Sequence, residues 1–126
     1  MDNHTAKRVL VVDDSATMRM YISITLRKLI SGVSVSEAVN GADALRKMQE
    51  KDFDLVLTDM MMPEMDGAQL IDNIRRSLRR TTPIVVITTR GEERERDSGL
   101  AQGANGYITK PVNVHELKEA VRKFLP

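Results

Sequence analysis

The sequence of 126 residues contains no cysteine and no tryptophan, and only two tyrosines and two phenylalanines. Without cysteine there are no disulfides, no thiolate catalysis and no zinc site built on cysteine. The histidines, His4 and His115, are too far apart in sequence to form a metal-ligand motif. With so few aromatics, the core must be built from Val, Ile, Leu, Met and Ala.

Long apolar runs and an excess of one charge are also missing. The formal net charge is +1 although 29% of the residues are charged, so neither nucleic acid nor an anionic membrane is favoured as a partner. No apolar run reaches transmembrane length, and the polar start of the chain is not a signal peptide. We expect a cytoplasmic monomer with one domain over residues 1–126, a polar extension at residues 1–7, and no output domain.

Three unbroken apolar runs, at residues 9–12, 55–58 and 84–87, predict strands buried on both faces. Weaker segments at residues 33–39 and 107–109 predict two more strands. Apolar residues at helical spacing lie between these segments. Continuous rather than alternating apolar strands, separated by helices, predict a parallel sheet covered on both faces. Right-handed crossovers then give a doubly wound α/β fold of five strands and five helices.

The predicted helices differ in quality. Residues 70–78 carry a clear apolar stripe, and Asn113 is a good N-cap with Glu116 as its capping-box partner. Residues 91–106 form the poorest helix, because charges crowd its start and Gly99 interrupts it, so we expect little to hold it in place. A basic cluster at the end of the third helix is best explained by interaction with the helix C-terminus. Its members are Arg75, Arg76, Arg79 and Arg80.

Polar side chains follow four of the predicted strands. In strand order they are Asp13 and Asp14, then Asp59, then Thr88 and Thr89, then Lys110 and Pro111. Each has an ordinary explanation when taken alone; the first acidic pair, for example, is a plausible helix cap. In doubly wound sheets, however, ligands bind beyond the carboxyl ends of the strands. The joint occurrence of these residues at four strand ends therefore indicates one site.

The chemistry of these side chains favours phosphoryl transfer. Three crowded carboxylates repel one another, and a divalent cation removes that repulsion. Oxygen ligands select Mg²⁺, with Mn²⁺ as a substitute, because no Cys or His is among these residues to favour a softer metal. An ionised aspartate can attack phosphorus and form an aspartyl phosphate. Lys110 can stabilise charge on the transferring oxygens, and Thr88 can hydrogen-bond the product.

Together these residues resemble the receiver domain of bacterial two-component response regulators, over about residues 7–125, and most of all the stand-alone chemotaxis regulators. The matching segments are residues 10–14, Thr17-Met18-Arg19, Asp59, Met62-Pro63, Met65-Asp66-Gly67, Thr88, Gly106-Tyr107 and Lys110-Pro111. The resemblance implies a flavodoxin-like receiver topology with strand order 2-1-3-4-5.

The resemblance also implies a role for each residue, with Asp59 as the phospho-acceptor. The implied metal ligands are Asp13, Asp14, Asp59 and the backbone carbonyl of Met61. The implied phosphate-binding and switch residues are Thr88, Thr89, Lys110 and Tyr107. The bond between Lys110 and Pro111 is implied to be cis, with Pro111 as the cis-proline.

The implied function is signalling rather than turnover of a substrate. The domain would accept a phosphoryl group from a phosphohistidine of a histidine kinase or His-phosphotransfer protein, and would catalyse its own phosphorylation and dephosphorylation. A downstream target would bind the face formed by the fourth helix, fifth strand and fifth helix. Chemotaxis is the expected output, and a phosphorelay intermediate is the alternative.

Three residues depart from the pattern of chemotaxis regulators. Met61 stands where a polar residue is common, Thr89 replaces a very small residue, and Arg90 is bulky and cationic. We hypothesise that these side chains impede the hydrolytic water and lengthen the life of the phosphorylated state.

Three other functions are disfavoured by single features. A Mg²⁺-dependent aspartyl-phosphate phosphatase usually has a second aspartate as general acid at position 61, where this chain has methionine. An FMN binder would need a Gly-rich phosphate loop after the first strand, where Asp13 and Asp14 would repel the phosphate. A receiver-like domain that works without phosphorylation would not need the complete acidic set.

Overall fold

The computed structural model describes residues 6–125, so residues 1–5 of the predicted extension, including His4, lie outside the described residues. The strands are β1 Arg8–Val12, β2 Ser34–Ala38, β3 Leu55–Asp59, β4 Ile84–Thr88 and β5 Gly106–Thr109. All neighbouring strands are parallel, and they form one sheet in the order β2-β1-β3-β4-β5. This confirms the predicted fold class and strand order.

Four helices connect successive strands, and a fifth follows the last strand. They are α1 Ala16–Leu29, α2 Gly41–Glu50, α3 Gly67–Asp72, α4 Glu93–Gln102 and α5 Val114–Phe124. Among residues 6–125, no helix has the length and apolar character needed to cross a bilayer.

Alternate residues of each central strand belong to two different cores. Val9 and Val11 of β1 pack with residues of α1 and α5, whereas Leu10 and Val12 pack with residues of α2 and α3. Successive side chains of a strand point to opposite faces of the sheet, and both faces are covered. Both faces of the central strands therefore carry apolar residues, which explains the continuous runs in the sequence.

Short polar side chains begin most of the helices. Ser15 caps α1, Asn40 caps α2 and Asp66 begins α3 with a complete capping box. The predicted N-cap at Asn113 is confirmed, since its side-chain oxygen accepts the Glu116 N–H at 2.8 Å. The Glu116 side chain accepts from the Asn113 side-chain amide at 3.1 Å and not from its backbone N–H, so the predicted capping box is not formed.

The third helix is shorter as an α-helix than its apolar stripe predicted. α3 ends at Asp72, and the chain continues as one π-helical turn, Asn73–Ser77. The Leu78 N–H donates to the Asn73 carbonyl, five residues back, at 3.0 Å. Arg79 then adopts a left-handed conformation with φ of 53° and ends the helical segment. The wider turn still buries Ile74, so the core contact that suggested a helix is kept while the backbone pattern changes.

Candidate functional site

Three carboxylates meet at the carboxyl edge of the sheet. Asp13, Asp14 and Asp59 each present an oxygen, and these oxygens all lie within 4.8 Å of one another. The register explains why, because Val12 of β1 pairs with Thr58 of β3, and the residues that follow lie side by side. Asp13 and Asp59 are buried and Asp14 is exposed. The cluster is therefore open to solvent on the Asp14 side.

Asp13 is held from several directions but keeps one free oxygen. Its Oδ1 accepts the Ser15 N–H at 2.8 Å, and its backbone N–H donates to the Ala38 carbonyl at 3.2 Å. Its Oδ2 is buried without a hydrogen-bond partner. A buried carboxylate oxygen without a partner, beside two more carboxylates, fits a divalent cation that takes oxygen ligands.

Burial and mutual repulsion govern the protonation of the cluster. Burial raises the pKa of Asp13, and the charges of Asp59 and Asp14 raise it further, against the hydrogen bond from Ser15. Burial also raises the pKa of Asp59, and the charge of Lys110 acts in the opposite direction. Both carboxyl groups therefore ionise less readily than a free aspartate, and the charge of a bound cation would favour their ionised forms.

Lys110 follows β5 and its side chain extends to the acidic cluster. Its Nζ lies 3.2 Å from Asp59 Oδ1. Its backbone N–H donates to the Thr88 carbonyl at 2.7 Å, and the bond from Lys110 to Pro111 is cis. The ion pair places the ammonium group against the carboxylate that the sequence predicted as phospho-acceptor.

The loop after β3 packs tightly around Asp59. The Met61 N–H lies 3.5 Å from Asp59 Oδ1, at the outer limit of a hydrogen bond. The Gly67 N–H donates to the Met60 carbonyl at 2.9 Å. A Cβ atom on Gly67 would lie 2.7 Å from the Asp59 backbone carbonyl. Only glycine lets α3 begin this close to the end of β3.

Thr88 and Tyr107, the residues predicted as switch elements, lie in different environments. Thr88 is buried, with its hydroxyl 3.5 Å from the Ile108 carbonyl. Tyr107 is 47% exposed, and the Arg96 guanidinium lies 5.4 Å from the centre of its ring. The side chains of the three unusual residues are all exposed: Met61, Thr89 and Arg90.

The backbone of Thr89 carries a contact that the sequence did not suggest. Its N–H donates to Glu95 Oε1 of α4 at 2.8 Å. Ile87, two residues earlier, presents its carbonyl to the Met60 N–H of the β3 chain at 3.3 Å. Thr89 is the first residue after β4, where the pairing of β3 with β4 has ended. Glu95 supplies the acceptor that the strand no longer provides.

Arg19 is a second functional candidate that sequence reasoning did not assign. Its Nη1 donates to the Asp13 carbonyl at 2.7 Å, and its Nε donates to Glu37 Oε1 at 3.1 Å. The available signal was its position, since it lies in the first turn of α1, where a cation is usually unfavourable.

Comparison with known proteins points in one direction. The profile described as "Response regulator receiver domain" matches residues 9–122. The chain is 36% identical over 125 residues to transcriptional regulatory protein ResD of Bacillus subtilis, covering 99% of this chain and 50% of that protein. It is 38% identical over 126 residues to the phosphate regulon transcriptional regulatory protein PhoB of Escherichia coli, covering 96% and 54%. The chain thus spans about half the length of these curated relatives.

Solved structures agree with the sequence comparisons. Chemotaxis protein CheY4 of Vibrio cholerae superposes with a TM-score of 0.86 at 34% identity, covering 96% of this chain and 100% of that one. A CheY-like response regulator receiver domain protein from Methanospirillum hungatei gives a TM-score of 0.86 at 29% identity, covering 96% and 94%.

Proposed function

We propose, since the chain belongs to the response regulator receiver domain family, that it is a signalling phospho-acceptor and that Asp59 takes the phosphoryl group. The contact that carries the proposal is the one between Lys110 Nζ and Asp59 Oδ1, at 3.2 Å. It places a cation beside a buried carboxylate in a cluster of acids. Among residues 6–125, Asp59 is the member of the cluster that forms a salt bridge.

In the proposed reaction an Asp59 carboxylate oxygen attacks the phosphorus of a phosphohistidine. The new O–P bond forms as the P–N bond breaks, and the bonding pair returns to the imidazole nitrogen of the donor. Asp13, Asp14, Asp59 and the Met61 carbonyl would hold Mg²⁺, whose charge would offset that of the transferring oxygens. Lys110 would pair with one phosphoryl oxygen, and the Thr88 hydroxyl would donate to another.

Phosphorylation by a small donor tests this proposal. We expect one phosphate to be gained from acetyl phosphate when Mg²⁺ is present, as measured by intact mass. The variant Asp59→Asn should gain none, because an amide oxygen is a poor nucleophile. Asp52→Asn is the matched control, since Asp52 is a highly exposed surface carboxylate, and it should be phosphorylated like the wild type. Equal phosphorylation of Asp59→Asn would contradict the assignment.

The lifetime of the phosphorylated state is a separate part of the proposal. Met61, Thr89 and Arg90 are larger than the residues usual in chemotaxis regulators and are exposed, and we propose that they border the path by which water reaches Asp59. We expect the double variant Met61→Asn, Thr89→Ala to lose phosphate about 10-fold faster than the wild type, a difference of about 1.4 kcal/mol in the barrier. Decay can be followed by intact mass after the donor is removed. An unchanged decay would show that these side chains do not control it.

We propose motility signalling through a protein partner as the output. A groove of about 810 Å³ lies along β5 and α5, with Tyr107, Leu100 and Phe124 among its lining residues. The likeness to a chemotaxis protein over that protein's full length supports this output. Capture from lysate by the phosphorylated chain, with Asp59→Asn as control, would identify the partner. Recovery of flagellar motor components would support motility. Recovery of a His-phosphotransfer protein would favour a phosphorelay.

Control of transcription is the second candidate output. The relatives ResD and PhoB are both named as transcriptional regulatory proteins, and this chain covers about half the length of each. Recovery of an RNA polymerase subunit or a DNA-binding protein in the same capture experiment would favour it over motility.

A further inference from the structure

Arg19 occupies an unfavourable position for a cation. It is the fourth residue of α1, and its backbone N–H donates to the Ser15 carbonyl in the first turn. The positive end of the helix dipole lies there, and α1 has no acidic residue in its first turn to offset the charge. The side chain is nevertheless only 14% exposed. Its own contacts must therefore account for its place.

Those contacts join two strands at the acidic cluster. Nη1 donates to the Asp13 carbonyl at 2.7 Å. Nε donates to Glu37 of β2 at 3.1 Å, and this ion pair fixes the plane of the guanidinium. The side chain of a helical residue leans toward the helix N-terminus, so Arg19 reaches back to the turn that precedes its own helix.

The carbonyl that Arg19 holds belongs to the peptide between Asp13 and Asp14. A peptide group is planar and rigid, so holding this carbonyl fixes the plane of the peptide that the two residues share. The Asp13 N–H, which donates to the Ala38 carbonyl at 3.2 Å, fixes the preceding peptide. Two of the three clustered carboxylates are thus attached to a peptide whose plane is held by one guanidinium.

We propose that Arg19 is a positioning residue for the divalent cation, aiming the carboxylates of Asp13 and Asp14 through the peptide that joins them. This rests on the proposed function, in which these two residues and Asp59 hold the cation. Partners behind metal ligands commonly contribute 10-fold or more, roughly, to metal affinity.

The proposal makes a prediction opposite in sign to simple electrostatics. A positive charge near a cation site weakens cation binding, so removing Arg19 should tighten it if charge alone matters. If positioning matters, removing Arg19 loosens the two carboxylates and weakens binding. Arg19→Gln removes the charge, and Arg19→Lys keeps it but lacks the planar fork that reaches Glu37 and the Asp13 carbonyl together.

Calorimetric titration with Mg²⁺ and with Mn²⁺, without any phosphodonor, tests this. We expect Kd for both ions to rise about 10-fold in Arg19→Gln and in Arg19→Lys. Arg27→Gln and Arg27→Lys, at an exposed position in the last turn of the same helix, should bind like the wild type. Thermal unfolding of each variant without metal shows whether it is folded. If Arg19→Gln fails to fold, the titration of Arg19→Lys alone tests the proposal.

The outcomes separate this inference from the proposed function. Wild-type affinity in both Arg19 variants, or tighter binding in Arg19→Gln, overturns the positioning role while the cation site stands. A lower unfolding temperature with unchanged Kd shows a purely structural residue and also overturns it. Failure of the folded wild type to bind either ion overturns both the proposed site and this inference.

Discussion

Asp13 and Asp59 are carboxylates in unfavourable surroundings. Each is buried at the end of a central strand, and the pKa of each is raised by that burial. Keeping both ionised near Asp14 destabilises the metal-free fold at neutral pH, because the unfolded chain places the same charges in water. A site that is prepared for a cation is therefore a source of instability without one.

Replacing Asp13 by asparagine should stabilise the metal-free protein at neutral pH. The amide oxygen can still accept the Ser15 N–H, and the amide nitrogen can donate to the neighbouring carboxylates. Because the pKa of Asp13 is raised above its ordinary value of 3.8, the folded protein gains stability from protonation below that value and loses it as pH rises through the folded pKa. The gain from Asp13→Asn should accordingly be large at pH 7 and shrink toward pH 3.5.

Urea unfolding of wild type and Asp13→Asn at both pH values measures this difference. Asp52→Asn serves as control, because Asp52 is exposed and no buried charge is removed. Added Mg²⁺ should raise the stability of the wild type and have little effect on Asp13→Asn. A variant that is less stable than the wild type at pH 7 would contradict the argument.

At the scale of elements, α4 is held at its C-terminal end by a side chain from another part of the chain. The Arg75 guanidinium donates to the Gly103 carbonyl at the end of α4, and to the carbonyls of Arg80 and Thr82. It also donates to the Asn105 side chain at 2.9 Å. The expectation that little holds this helix in place is therefore wrong at its C-terminal end.

Arg75→Met should destabilise the fold by about 2–3 kcal/mol, because several carbonyls lose a charged donor at once. Urea unfolding measures the loss, and hydrogen exchange should show faster opening of α4. Arg76→Met is the matched control, since Arg76 is 82% exposed and its ion pair with Asp72 lies on the surface. It should change stability by no more than about 0.5 kcal/mol. Equal effects of the two variants would show that the Arg75 contacts contribute nothing specific.

Much of the architecture was predictable because it depends on local pattern. The unbroken apolar runs predicted β1, β3 and β4, and the polar residues after them predicted which side chains would gather. The acceptors of Arg75 were not predictable, since Gly103 lies 28 residues away and only the folded backbone brings it near. The π-helical turn after α3 and the hydrogen bonds of Arg19 depend in the same way on tertiary geometry, for which spacing along the chain carries no signal.

For the whole molecule, the sheet couples two cores that share its central strands. Leu117 of α5 is fully buried in one core and Leu70 of α3 in the other. Because neighbouring residues of β1 serve opposite cores, neither core can be lost while the other keeps its strand. The fold should therefore unfold as one cooperative unit.

Leu117→Ala should lower the free energy of unfolding by about 2–5 kcal/mol. If the fold unfolds as one unit, this substitution should reduce the hydrogen-exchange protection of the slowest backbone amides equally in β1, β3 and β4. The reduction should include residues whose side chains face the other core. Hydrogen exchange read by NMR measures this. Val114→Ala is the control on the same helix, because Val114 is 49% exposed and should change stability by about 0.5 kcal/mol or less. Loss of protection confined to α5 would show that the cores unfold separately.

The hydrogen bond from the Thr89 N–H to Glu95 connects these scales, since it attaches the start of α4 to the last peptide of the sheet. An amide has one hydrogen to donate, so any other acceptor can take it only by displacing the Glu95 carboxylate. If Asp59 is phosphorylated as proposed and a phosphoryl oxygen accepts this hydrogen, the start of α4 would lose its attachment to the end of β4.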